Sequence, residues 1–359
     1  DISHPFDLSS EYPIRVKFYR IQSKSTDDLF DRTVLLINTH HIATDGWSID
    51  IFQQELLNYY EAYCNSDKSF SLPPLEIQYK DYAVWQRSYL TGETLDNQLN
   101  YWKSKLSGYQ TLFLPIDYVR PSQVDYQGAS QSFTLSREIS GKLRSLTKKY
   151  GVTLNSLLLS SVTIFLSKYT GQKDIVIGSP TANRHHRQTE SLIGFFINTQ
   201  VHRTILSESQ SSEELIEQIH RDQITAQLHQ DLPFEKLVEE LAVERDASRH
   251  PVFQVMFAVQ GFGKEHKTNN TQKKYFKPFQ GSADYEIEKF DLSIFIDDSQ
   301  EELFGQISYA TSLFQNNTIK RMIGHYKHLL DQFTQSPEKQ YSEISLLSSE
   351  EYEQIVYQW

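Results

Sequence analysis

Residues 38–48 read "NTHHIATDGWS", two adjacent histidines followed shortly by an Asp-Gly pair. Upstream, "YPIRVKFYRI" (12–21) and "TVLLINTHHI" (33–42) are rich in β-branched and aromatic side chains. Two strands are predicted there, joined by the polar "QSKSTDDLFD" as a hairpin connection. Downstream, Asp45-Gly46 is turn chemistry and Ser48 is a candidate helix cap. Phe52, Leu56, Tyr59 and Tyr63 then recur at helical spacing and give one core-facing stripe. The histidines are therefore expected at a strand end, just before a turn and a helix N-terminus.

That placement bears on what they can do. Successive side chains on a strand point to opposite faces, so His40 and His41 cannot easily share a metal ion. "NRHHR" (183–187) is the only other histidine cluster, and a metal site needs three or four convergent ligands. A local reading has both histidines satisfied by nearby hydrogen bonds. A catalytic reading has His41 projecting opposite His40, beside a helix N-terminus whose N–H groups and dipole favour a developing oxyanion. Asp45 would either orient the imidazole or pin the turn by pairing with an arginine, and spacing leaves both open.

The chain has 359 residues, a length that suits two lobes. Lys+Arg number 35 against 46 Asp+Glu, a net charge of −11 with the signs interspersed, which argues against nucleic acid or an anionic membrane as partner. Cys64 is the single cysteine, so a disulfide within the chain is excluded and a thiolate cluster disfavoured. The opening "DISHPFDLSSEYPIRVKFYRI" has no apolar signal-peptide core. Residues 154–169 are apolar but short and studded with Ser and Thr, which predicts a buried core helix. A cytoplasmic protein is expected. The chain starts without Met and runs almost at once into a strand, which fits a fragment of something longer.

Further along, "LPPLEIQYKDYAVWQRSYLTGE" (72–93) becomes helical after its prolines, and 95–108 is a second helix ended by Gly108. Residues 114–128, with few apolar side chains and two prolines, are the best linker candidate. Then come a strand (131–135), helices over 137–150 and 154–170, and a strand at 174–180. Ser211 and Glu214 form a capping-box pattern for a helix running to about residue 229. Strands are predicted at 251–261, 290–298 and 303–310, and a final helix over 317–333. The lysine-rich stretch that follows residue 261 reads as a mobile loop. Mixed strands and helices of this kind indicate α/β layers.

"HHIATDGWS" resembles the HHxxxDG signature of the condensation domains of nonribosomal peptide synthetases. "YKDYAVWQ" (79–86), "IGFFINTQVHR" (193–203), "HQDLPFEKLV" (229–238) and "RDASRHPVFQVMF" (245–257) resemble further blocks of that family, in family order. "YWKSKLSG…LPIDYVRP" and "YTGQKDIVIGSPTANR" are also similar, so the resemblance covers essentially the whole chain. Two family motifs that precede the double histidine, Ser-x-Ala-Gln-x-Arg and Arg-His-Glu-x-Leu-Arg, are absent. Much of the first lobe is therefore expected to be missing, and this chain is not expected to be an autonomous catalyst.

The resemblance implies an α/β fold of two chloramphenicol-acetyltransferase-like lobes in a V, the first incomplete, with an active-site tunnel between them. The expected division is 1–113 for the first lobe, 114–128 for a linker, 129–343 for the second lobe and 344–359 for a linker toward an adenylation domain. It implies peptide-bond formation between aminoacyl groups held on the phosphopantetheine arms of donor and acceptor carrier proteins. No cofactor is expected to be bound by the domain itself. Partners are the two carrier proteins, the downstream adenylation domain and the missing N-terminal segment, with no nucleic acid and no membrane. By match to the motif, His41 is the active-site histidine, with His40 and Asp45 in support and Gly46 allowing close backbone approach. Arg184 is the expected partner of Asp45, with an arginine from the missing segment as a rival. Asn198 is a candidate polar group near the tunnel, and Gly194 suggests tight packing. Tyr82 and Trp85 are expected in the core. Heterocyclisation domains replace the histidines with a DxxxxD pattern that is absent here. A coenzyme A-dependent acyltransferase and a non-catalytic docking platform are the alternatives.

Overall fold

In a computed structural model, residues 4–21, 32–243, 246–260 and 286–358 are described. The lysine-rich stretch read as a mobile loop lies outside them. Among the described residues, those up to Tyr89 together with Ala182–Ile197 form one compact unit, and the others form a second.

In the first unit, β1 (Ile14–Ile21) and β2 (Arg32–Thr39) pair antiparallel, with Ile14 opposite Thr39 and Phe18 opposite Leu35. β2 ends at Thr39, short of both histidines, because the chain turns into a 3-10 helix at His41–Ala43. Helix α1 (Gly46–Cys64) follows, then α2 (Tyr79–Tyr89). The sheet of this unit has two strands among the described residues. Its alternating apolar row stays open to solvent: Val16 is 51% and Phe18 73% exposed, beside Tyr12 at 85%.

A contiguous apolar face of that kind binds other apolar surface. The isolated 359-residue chain is expected to enhance the fluorescence of an anilinonaphthalene dye, and Phe18→Lys to reduce that enhancement. A chain that leaves the dye dark would contradict this exposure.

In the second unit, α3 (Gly92–Leu106) precedes a six-stranded mixed sheet. The strands are β3 (Gly128–Thr134), β4 (Asp174–Thr181), β5 (Asn198–Ile205), β6 (Val255–Gln260), β7 (Leu292–Asp297) and β8 (Phe304–Ala310). Their order is β3-β8-β7-β6-β4-β5, with β4–β6 and β6–β7 parallel. The helices are α4 (Arg137–Tyr150), α5 (Leu154–Thr170), α6 (Ser212–Gln227), α7 (Phe234–Glu240), α8 (Asn316–Gln335) and α9 (Ser349–Tyr357).

Helix α5 is the centre of this core, and every residue from 156 to 167 is buried. Its hydroxyls are tolerated because they bond within the helix or to a neighbour. Ser160 donates to the Ser156 carbonyl at 2.8 Å, Thr163 to that of Leu159 at 2.8 Å, and Ser161 meets the Tyr326 hydroxyl at 2.9 Å. Gly151 (φ 64°) and Gly171 (φ 70°) end α4 and α5 in the left-handed conformation that favours glycine. The capping box of α6 is formed, Ser211 and Glu214 each accepting from the other's backbone N–H.

Two expected boundaries move. Leu99, Trp102 and Leu106 of α3 pack in one cluster with Val201, Leu232, Phe234 and Phe253, and the Trp102 indole donates to the His229 carbonyl at 2.8 Å. That apolar stripe puts α3 in the second unit, not in a first lobe running to residue 113. Residues 114–128 are not a free linker either. Asp117 accepts from the Gln315 N–H at 2.8 Å and the Thr318 hydroxyl at 2.9 Å, and Arg120 forms a two-pronged ion pair with buried Asp291. Polar side chains hold the segment down where apolar ones are scarce.

No single helix among the described residues is long and apolar enough to cross a membrane. The α4–α5 pair passes that test jointly only across a 111° bend, and the α5 part of it is core.

Candidate functional site

The N-terminus of α1 organises the site. Asp45, 3% exposed, is the N-cap, and its Oδ1 accepts from the Ser48 N–H at 2.8 Å and the Ser48 hydroxyl at 2.7 Å. Ser48 was the expected cap, but it sits three residues into the turn, where its N–H is one of those needing an acceptor. Its hydroxyl is fully buried and is a hub: it accepts from the Gly194 N–H at 3.0 Å and from Arg184 at 2.8 Å, and lies 2.9 Å from the Gly194 carbonyl.

Arg184 follows β4 after Asn183, which takes a left-handed φ of 52°. Its side chain is 1% exposed and Nη2 lies 3.1 Å from Asp45 Oδ1. Nη1 donates to the carbonyls of Thr189 at 2.5 Å and Leu192 at 2.8 Å, and the guanidinium lies 4.1 Å from the centre of the Phe196 ring. The structure thus places against Asp45 the arginine that the sequence suggested. Burial works against ionisation of Asp45, but the Ser48 hydroxyl, the Ser48 and Phe196 N–H groups and Arg184 outweigh it. Together they hold the carboxyl below its ordinary pKa. Burial lowers the Arg184 pKa, partly offset by Asp45, and a guanidinium stays charged regardless.

The same carboxylate fixes a strand-like stretch. Leu192, Gly194 and Phe196 are buried while Ile193 and Phe195 face outward, a period of two. Asp45 Oδ2 accepts from the Phe196 N–H at 3.0 Å, and the Tyr79 hydroxyl donates to the Phe195 carbonyl at 2.8 Å. A Cβ on Gly194 would lie 2.2 Å from the Tyr79 ring, so only glycine lets these two segments meet. Tyr82, Leu192 and Phe196 form a small buried cluster with Tyr79 and Trp85 against it.

His40 and His41 diverge because of the turn rather than strand alternation. His40 caps the 3-10 helix: its Nδ1 accepts from the Ile42 N–H at 3.0 Å, and its ring meets Phe6 edge-on at 5.8 Å. His41 is exposed and touches the Phe195 ring edge-on, centroids 5.1 Å apart and planes at 83°. Among the described residues, no group of three His, Cys, Asp or Glu side chains is placed to hold a metal. His40→Ala is expected to lower stability by roughly 1 kcal/mol, the worth of a helix cap, while leaving measurable turnover. Full stability with all turnover lost would exchange the roles of the two histidines.

Two expected residues behave differently. Gly46 has no need to be glycine for space, since an added Cβ would meet nothing within 4 Å and its φ is not positive. It is simply the first residue of α1. Asn198 belongs to the second unit, where its amide donates to the carbonyls of Gln230 and Leu232 at 3.0 and 2.8 Å. Its oxygen accepts from Thr199 and Phe234 N–H groups at 2.8 and 3.0 Å. That amide tethers the loop before α7 and is not free to serve as a tunnel group. Ser48, Tyr79 and Phe195 were missed as site residues. The outward-inward alternation around Gly194 is the sequence signal for Phe195.

The site is thus a buried Asp–Arg pair at a helix N-terminus beside an exposed histidine, on mixed α/β units whose fold is shared with solved condensation domains. The chain belongs to the condensation domain family, whose model matches residues 1–356. It is 40% identical over 360 residues to one of the proteins that make up linear gramicidin synthase in Brevibacillus parabrevis, covering 100% of this chain and 7% of that protein. It is 37% identical over 347 residues to malpinin synthetase of Mortierella alpina, covering 96% of this chain and 4% of that protein. The chain therefore spans a small fraction of these relatives. Among solved structures, the X-domain from teicoplanin biosynthesis superposes with a TM-score of 0.83 at 24% identity, covering 96% of this chain and 77% of that one. The first condensation domain of the calcium-dependent antibiotic synthetase does so at 0.69 and 16%, covering 88% and 67%.

Proposed function

We propose that this chain is the part of a nonribosomal peptide synthetase condensation domain that carries the catalytic histidine, and that the domain forms peptide bonds between carrier-bound aminoacyl groups. The observation that supports this best is His41: an exposed imidazole of the HHxxxDG motif, set on a turn whose neighbouring Asp45 and Arg184 are locked together in the interior. Substrates arrive as thioesters on the phosphopantetheine arms of two carrier proteins, and an adenylation domain downstream is the third partner. The setting proposed is the cytoplasm.

The acceptor α-amine attacks the donor thioester carbonyl, a C–N bond forms, the tetrahedral intermediate collapses, and the C–S bond breaks to release the donor arm as a thiol. The amine loses a proton and the departing sulfur gains one. An α-amine has a reference pKa of about 7.7–8.0, so a useful fraction is neutral at cellular pH. His41 holds that amine and takes or shares its proton as the intermediate forms. Asp45 makes no hydrogen bond to His41 among the described residues; its oxygens serve Ser48, Phe196 and Arg184. It builds the site and does not relay the proton. Holding both tethered substrates together supplies a further large share of the rate.

The test offers the complete domain one acyl donor at a time, with a loaded acceptor carrier present. Product from a carrier-bound donor but none from the same acyl group on coenzyme A supports the proposal. Product from coenzyme A alone would assign a free-standing acyltransferase, and binding of both carriers without product a docking platform.

A further inference from the structure

We infer that Phe195 is the positioning residue for the His41 imidazole, and that Asp45 acts on catalysis through it. This rests on His41 being the catalytic group. Among the described residues no side-chain hydrogen bond orients that imidazole, and the Phe195 ring lies against it, edge-on at 5.1 Å. Phe195 is a large aromatic on the outward side of the alternating 192–196 stretch, 37% exposed.

The backbone around Phe195 has no slack. The Gly194 N–H and carbonyl both meet the Ser48 hydroxyl, at 3.0 and 2.9 Å. The Phe195 carbonyl accepts from Tyr79 at 2.8 Å, and the Phe196 N–H is held by Asp45 at 3.0 Å. Behind this stretch the Tyr79 ring fills the space where a side chain on residue 194 would lie. Three successive residues are thus pinned from the α1 N-terminus and from α2, and the one side chain between them that points out rests on His41. The buried carboxylate of the motif fixes the 194–196 backbone, and that backbone delivers the ring that stops the imidazole from swinging.

The experiment compares wild type, Phe195→Leu, Phe195→Tyr and His41→Ala in the complete domain, with dipeptidyl formation followed at varied acceptor-carrier concentration. Phe195→Leu is expected to lower kcat about tenfold, the rate equivalent of one aromatic pair, with KM for the acceptor carrier unchanged. Phe195→Tyr, which keeps the ring, is expected to stay near the wild-type rate. In protein labelled at histidine, the ring-current displacement of the His41 carbon-bound protons should persist in Phe195→Tyr and vanish in Phe195→Leu. That signature is read without turnover, and chemical-shift dispersion in the same spectra reports whether the variant is folded. An inactive His41→Ala beside a Phe195→Leu variant with wild-type kcat, or a tenfold loss shared equally by Phe195→Tyr, would overturn the inference and leave the function standing. A fully active His41→Ala would overturn the functional reading itself.

Discussion

Replacing His41 with alanine is expected to lower the rate of peptide-bond formation by about 10²–10⁴-fold, the usual worth of one positioned acid–base group. The melting temperature and the affinity for carrier proteins should stay at their wild-type values. The His41 side chain is exposed, caps nothing and packs edge-on against one ring, so its removal leaves no buried group unpaired. Single-turnover transfer between two loaded carriers, beside a thermal melt, separates the two effects. A variant that condenses at the wild-type rate would remove His41 from the chemistry. One that fails to fold would make its role structural.

Asp45→Asn is expected to act the other way round, through stability first. The substitution leaves Arg184 charged in a place where its side chain is 1% exposed. Breaking a buried pair from one side costs about 3–5 kcal/mol. It also leaves one acceptor oxygen where two now serve the α1 cap and the Phe196 N–H. Urea unfolding should show the midpoint falling, with activity declining alongside it. The effect depends on pH with a definite sign. The folded-state pKa of Asp45 lies below its ordinary value, so the carboxylate's contribution is complete above about pH 3.9, the unfolded value. It is lost as pH falls through the lower folded value. Wild type and variant should therefore converge in stability only in strong acid. A variant that melts normally yet is inactive would give Asp45 a direct chemical role.

Helices with a clean apolar stripe or a cap were legible in the sequence. Residues 137–150 and 154–170, bounded by Ser136, Thr153, Gly151 and Gly171, are helices with those limits. The capping box at Ser211 was readable because both of its partners lie within four residues. The Asp45–Arg184 pair was legible only as a suggestion, since 139 positions separate its members in the chain. What local pattern could not show was that an extended stretch ending at Ile197 belongs to the first unit while β5, beginning at the next residue, belongs to the second. Period-two alternation runs straight through that join, and the Asn198 amide, expected near the tunnel by resemblance, is committed to the loop before α7. Ser48 was misread for a related reason. Asp and Ser are both good caps, and the choice fell to Asp45 because its carboxylate also had Arg184 and the Phe196 N–H to satisfy.

The most direct measurement is the intact mass of the acceptor carrier protein after the complete domain is mixed with one loaded donor carrier and one loaded acceptor carrier. The expected result is a gain in acceptor mass equal to the donor aminoacyl residue, a donor arm returned to its free thiol, and neither change with His41→Ala. An unchanged acceptor mass from the wild-type domain, with both carriers shown to be loaded and bound, would contradict it.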